Sequence, residues 1–145
     1  MEERKTDLSR TLVNSYRVAN YRVVTGQYSF FMLNIKKKSA DLEALMKKHN
    51  LFTAAYVTGY NIHGKQTEPH INIKAQKHLM GDVRRTGLPF LEGFGEDPTG
   101  KWKKEPSVLI LGISLDDAED LGRKYGQNAI VWMDDEYVPK LVFLK

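Results

Sequence analysis

The run Ser107 to Ile113 (SVLILGI) constrains this chain more than any other stretch. It is almost uninterrupted in apolar character, too short to cross a bilayer, and followed at once by a helix-start pattern. Such a run belongs to a strand at the centre of a sheet, covered on both faces. Phe52 to Tyr60 (FTAAYVTGY) is a second segment of this kind, without a single charge. Two buried strands demand a sheet with helices laid on it, so the chain reads as an α/β (α+β) protein.

The remaining elements follow from periodicity and punctuation. Leu8, Leu12, Val13 and Tyr16 recur at helical spacing, which predicts a helix over about 8–19. Gln27 to Ile35 (QYSFFMLNI) reads as a strand preceded by a glycine. Ser39 is a capping residue for a helix carrying Leu42, Leu45 and Met46, with Asp41 and Glu43 in its first turn and an end at His49-Asn50. Thr67-Glu68-Pro69 opens another, predicted to reach about Thr86 and interrupted by Gly81, with Thr67 as its capping hydroxyl. Asp97-Pro98-Thr99-Gly100 is a turn between two strands. Ser114 caps a helix with acids at its start, Arg123-Lys124 at its end and Gly126 beyond. Ala129 to Met133 and Val138 to Leu144 then form a C-terminal antiparallel hairpin around Asp134-Asp135-Glu136. Early alternation and late hairpins predict a single mixed sheet. No repeat, low-complexity stretch or linker divides the chain, so residues 1–145 are expected to form one domain, with the 8–19 helix packed on it or appended as an arm.

Composition removes several chemistries. There is no cysteine, hence no disulfide framework, thiolate metal site or cysteine nucleophile. With a charged N-terminus and no apolar run near the roughly 20 residues that span a bilayer, the expectation is a cytoplasmic chain without membrane contact. The four histidines, His49, His63, His70 and His78, include no pair three or four apart on a helix, so no metal site is expected. No G-x-S-x-G, Walker A or strand-linked G-x-G-x-x-G occurs, and no cofactor is implied. The net charge of +4 favours phosphate-bearing partners only weakly.

Candidate functional residues lie where elements end. Asn61 closes the Phe52–Tyr60 strand, either beginning a turn or presenting an amide to a ligand at the strand's carboxyl end. Glu105 precedes the central strand; burial there would raise its pKa and suit it to acid or base work, whereas a surface position would pair it with Lys103 or Lys104. Gln127 and Asn128 either cap the preceding helix or line a polar pocket, and strand alternation would turn them to opposite faces. Arg84, Arg85, Lys101, Lys103 and Lys104 are candidate phosphate contacts, with Trp102, Phe90 and Phe94 near them as stacking surfaces.

Thr58-Gly59-Tyr60-Asn61, Asn72, Gly95, Asp97, Trp102, Glu105-Pro106-Ser107, Gly112-Ile113-Ser114 and Gly126-Gln127-Asn128-Ala129 occur in an order and spacing that resembles domain-of-unknown-function family 3293, found in bacteria and phages, over about 56–132. Two departures stand out: Gly59 where alanine is expected, and Ile62-His63 where a proline is expected after the asparagine. The resemblance implies no activity. It implies a polar set of Thr58, Asn61, Asn72, Glu105, Gln127 and Asn128, which would suit a base, a ribose or another small polar ligand if the fold brings them together, and it makes a phage or host-interaction setting plausible. A nucleotide- or nucleic-acid-binding domain is therefore the leading expectation. An enzyme using Glu105 on a nucleotide or glycosidic bond, and a domain that binds a protein partner, are the alternatives.

Overall fold

The computed structural model describes residues 2–145. Four α-helices, α1 (Arg10–Val18), α2 (Ala40–His49), α3 (Pro69–Thr86) and α4 (Leu115–Lys124), accompany seven strands: β1 (Asn20–Gly26), β2 (Ser29–Leu33), β3 (Ala54–Thr58), β4 (Phe90–Glu96), β5 (Glu105–Leu111), β6 (Ala129–Met133) and β7 (Lys140–Phe143). All seven strands share one sheet in the order β2-β1-β4-β5-β3-β6-β7.

Every neighbouring pair is antiparallel, which corrects the expected mixed sheet. The helix after β3 carries the chain past β5 to β4, and the helix after β5 carries it past β3 to β6. Each strand–helix–strand crossover thus leaves a gap, and a strand from the other crossover fills it in the opposite direction. Sequence alternation of strand and helix cannot distinguish this interleaving from a parallel pair. The β3-α3-β4-β5-α4-β6 unit has the split β-α-β arrangement of ferredoxin-like topology, and the β1-β2 hairpin and β7 extend its two edges. The predicted C-terminal hairpin is present as β6-β7.

One strand was not anticipated from the sequence. Asn20–Gly26 turns Tyr21 and Val23 inward and Arg22 and Val24 outward, then folds back through residues 27 and 28 onto β2, so Gln27 lies in a turn and not in a strand. Helix α3 starts without the hydroxyl cap assigned to Thr67, whose Oγ1 donates to the Lys65 carbonyl, and it continues through Gly81 to Thr86. Ser39 and Ser114 do cap α2 and α4, accepting from Leu42 N and Asp117 N. No described helix is long and apolar enough to cross a membrane.

The sheet buries apolar side chains on both faces. On one, Ala55, Val57, Val108, Ile110, Ile130, Trp132 and Val142 meet Leu79, Met80 and Val83 of α3 and Ala118 of α4. On the other, Tyr21, Tyr56, Leu109, Leu111, Val131, Met133, Leu141 and Phe143 form a cluster with Leu42 and Met46 of α2 and Val13 of α1.

Candidate functional site

The face beneath α1 is not filled. Cross-strand rows explain why. Gly93, Ser107 and Thr58 stand side by side across β4, β5 and β3, and Gly95 pairs with Glu105 one row further out. The next row inward is Leu91, Leu109, Tyr56, Val131 and Leu141. Large side chains give way to small ones on a single face; Tyr56 lies across Gly93, and Thr58, Ser107 and Gly95 border a cavity of about 450 Å³. That volume falls within the range typical of pockets for small ligands. Leu12, Ser15, Tyr16 and Ala19 of the α1 region, with Trp102, enclose it from the other side.

Five of the six polar residues singled out in the sequence, Thr58, Asn61, Asn72, Glu105 and Gln127, line this cavity. Asn61 sits in left-handed conformation (φ 51°), which asparagine tolerates better than most residues. Its Oδ1 accepts from Thr67 N (3.0 Å) and Asn72 Nδ2 (3.0 Å), while Asn72 Oδ1 accepts from Asn61 N (2.8 Å). Those bonds fix the amide orientation, so Asn61 Nδ2 must point at Glu105 Oε1, to which it donates at 3.0 Å. Gln127 Nε2 donates to the Tyr60 and Tyr125 carbonyls (3.1 Å each), tying β3's exit to the end of α4. Asn128 is also buried, and its Nδ2 donates to Tyr16 Oη (3.2 Å), holding the cavity's α1 wall.

Burial raises the Glu105 carboxyl above the ordinary glutamate range, and the Asn61 hydrogen bond opposes this in part. Among the described residues no cation lies within ion-pair distance of it: Lys104 reaches Glu96 (3.9 Å), and Lys103 also borders the cavity without approaching the carboxylate. Three tyrosines surround Glu105 closely enough to feel its charge. Burial raises the pKa of Tyr16, Tyr21 and Tyr56, and the Glu105 carboxylate adds to each shift. Tyr21 and Tyr56 meet edge to face at 5.4 Å. Tyr56 crosses Gly93 to donate to the Arg22 carbonyl at 2.8 Å, a path that a Cβ at residue 93 would obstruct from 2.9 Å.

The two family departures have local reasons. A Cβ on Gly59 would stand 3.1 Å from the α3 backbone at Ala75 and Gln76. Ile62 packs against Gly126, where His63 N donates to the Gly126 carbonyl at 2.7 Å, so the loop is seated without a proline.

The basic candidates divide. Lys103 and Lys104 border the cavity. Lys101 does not, and its backbone N–H donates to Asp97 Oδ2 (2.8 Å) in the loop that also positions Trp102. Arg84 and Arg85 lie in the last turn of α3, roughly 18 Å along the helix from Asn72 at 1.5 Å per residue, and Arg85 pairs with Asp82. Phe94 shares its register with Arg22 on the opposite sheet face. The aromatic wall of Tyr16, Tyr21, Tyr56, Tyr60 and Trp102 went unrecognised in the sequence except for Trp102. Tyr21 and Tyr56 did carry a signal, the inward phase of their strands.

A family model described as a protein of unknown function (DUF3293) matches residues 57–130, from the end of β3 to the start of β6. No curated protein and no solved structure matches the chain.

Proposed function

This chain belongs to the DUF3293 family, and on that premise we propose that it is a binding domain for a nucleotide or a nucleotide end of a nucleic acid, with the base in the cavity beneath α1. The supporting observation is Glu105, a carboxylate in an aromatic-walled cavity with one bound donor and no counter-ion among the described residues. A base offers what such a site lacks: a flat apolar face for the tyrosines and Trp102, and N–H donors at its edge. Lys103 and Lys104 at the rim suit its phosphate.

The test is a thermal-shift screen against mono-, di- and cyclic nucleotides and short single-stranded DNA and RNA. A ligand at 100 times its Kd stabilises by about 2.7 kcal/mol, which at about 2–4 °C per kcal/mol is a rise of several degrees. Ala129 lines the cavity, so Ala129→Met should abolish the rise. A shift that survives this change would move the site elsewhere. No shift with any nucleotide would end this reading in favour of a protein partner. The outer face of β2-β1-β4 exposes Phe30 and Phe94 for such a partner, with Arg22 stacked 4.1 Å over the Phe30 ring.

A second reading is favoured by the raised carboxyl of Glu105, which suits a general acid or base acting on a bound nucleotide or glycosidic bond, with Asn61 orienting it. Turnover that continues at the wild-type rate in Glu105→Gln would eliminate it.

A further inference from the structure

Resting on the nucleotide reading of the cavity, we infer that the base it selects is guanine, held through its N1–H and 2-amino group by the Glu105 carboxylate. The inference comes from counting donors. Asn61 Nδ2 is the one donor that reaches the carboxylate among the described residues, at Oε1. Four of the surrounding hydroxyl protons are committed elsewhere: Thr58 Oγ1 donates to the Pro106 carbonyl (2.7 Å), Ser107 Oγ to the Glu105 carbonyl (2.8 Å), Tyr21 Oη to the Tyr16 carbonyl (2.6 Å) and Tyr56 Oη to the Arg22 carbonyl (2.8 Å). Tyr16 Oη accepts from Asn128 and is not within hydrogen-bond distance of the carboxylate. Asn61 cannot flip to change this, because both donors to its Oδ1 would then face an amide NH₂. The site presents a pair of acceptors whose remaining lone pairs face the cavity and are open to a ligand's donors.

The four bases answer that demand differently. Adenine and cytosine each set an amino donor beside a ring-nitrogen acceptor, and the second would face a carboxylate oxygen. Uracil has one N–H flanked by two carbonyls. Guanine alone places two donors side by side, spaced to meet both oxygens of a carboxylate. An acceptor turned toward this part-buried carboxylate leaves both unpaired, and this mismatch is the basis of discrimination.

The experiment is calorimetric titration of the wild-type chain at pH 7.5 with GMP, IMP, AMP, CMP and UMP. GMP should bind most tightly. IMP retains N1–H and lacks the 2-amino group, so it should bind roughly tenfold more weakly, and AMP roughly a hundredfold more weakly, the scale of one lost and one mismatched hydrogen bond to a charged group. Glu105→Gln replaces one acceptor with a donor and should reverse the order of GMP and AMP, since an amide matches adenine's donor–acceptor edge. GMP affinity should also fall as pH drops through the raised Glu105 pKa. Equal affinity for GMP and AMP in the wild type would overturn guanine selection while leaving a nucleotide site in place. Absence of binding by all five would overturn both. The wild-type series stands without the variant should Glu105→Gln fail to fold.

Discussion

The two ends of a single sheet face make the instructive contrast. At one end Leu109, Leu111, Val131 and Met133 join Leu42 and Met46 of α2 in a packed cluster. At the other, Gly95 of β4, Ser107 of β5 and Thr58 of β3 face the same side of the sheet, and α1 arches over open space. Strand geometry is continuous between them; the change is in side-chain volume. Protein interiors are close-packed, so leaving a cavity forgoes contact energy, and the polar groups around this one are linked by hydrogen bonds that a filled core would not need. One end of the face holds the fold together while the other is organised around a carboxylate.

Substitutions at the two ends should therefore differ. Leu111 is fully buried at the packed end, and Leu111→Ala should cost about 2–5 kcal/mol, read from the urea midpoint. A loss below 1 kcal/mol would mean that this end is as open as the other. Asn72→Ala removes the acceptor for Asn61 N–H and should cost roughly 1–3 kcal/mol, with loss of ligand binding because Asn61 no longer fixes Glu105. Ala129→Met places volume in the cavity and should change stability by less than about 1 kcal/mol. A cost there as large as that of Leu111→Ala would show that the space is already filled.

The strap that leads into α1 is held by Arg4, which pairs bidentately with Glu119 of α4 (2.5 and 2.9 Å), and by Thr6, which donates to the Lys145 carbonyl. Arg4→Ala should cost no more than about 1 kcal/mol, because Arg123 remains 3.3 Å from Glu119. Amide exchange in α1 should nevertheless accelerate while that in β5 stays slow.

Glu105→Gln should produce the smallest change and the one of opposite sign. A carboxyl whose pKa is raised by folding binds protons more tightly in the native state, so its ionisation destabilises that state. The penalty is absent below the unfolded value of about 4.3 and fully present above the raised native value. Glu105→Gln should therefore leave the melting temperature unchanged near pH 4 and raise it at pH 7.5. Equal shifts at both pH values would mean that the carboxyl is not desolvated.

Much of this arrangement was legible in the residues. Caps at Ser39 and Ser114, apolar runs at β3 and β5 and turn chemistry at 97–100 located most elements. Asn61, Glu105 and Gln127 stood out because they lie where elements end, Thr58 and Asn72 joined them through the family resemblance, and the fold brings all five to one cavity. Strand direction was not legible, because an interleaved crossover and a parallel one share the same element order. β1 was missed although Tyr21 and Val23 alternate with Arg22 and Val24. The cavity was hidden for a related reason. Gly93, Ser107 and Thr58 become one row of small side chains only once the register of three strands is known.

The chain's two tryptophans report separately on the two faces. Trp102 borders the cavity, and Trp132 is packed on the α3–α4 side. Titrating GMP into Trp132→Phe and Trp102→Phe, each with a single remaining indole, tests the cavity directly. If the base enters beneath α1, emission from Trp102 should be quenched saturably while emission from Trp132 stays constant. An unchanged Trp102 signal at a GMP concentration that raises the melting temperature would place the ligand elsewhere and contradict the site.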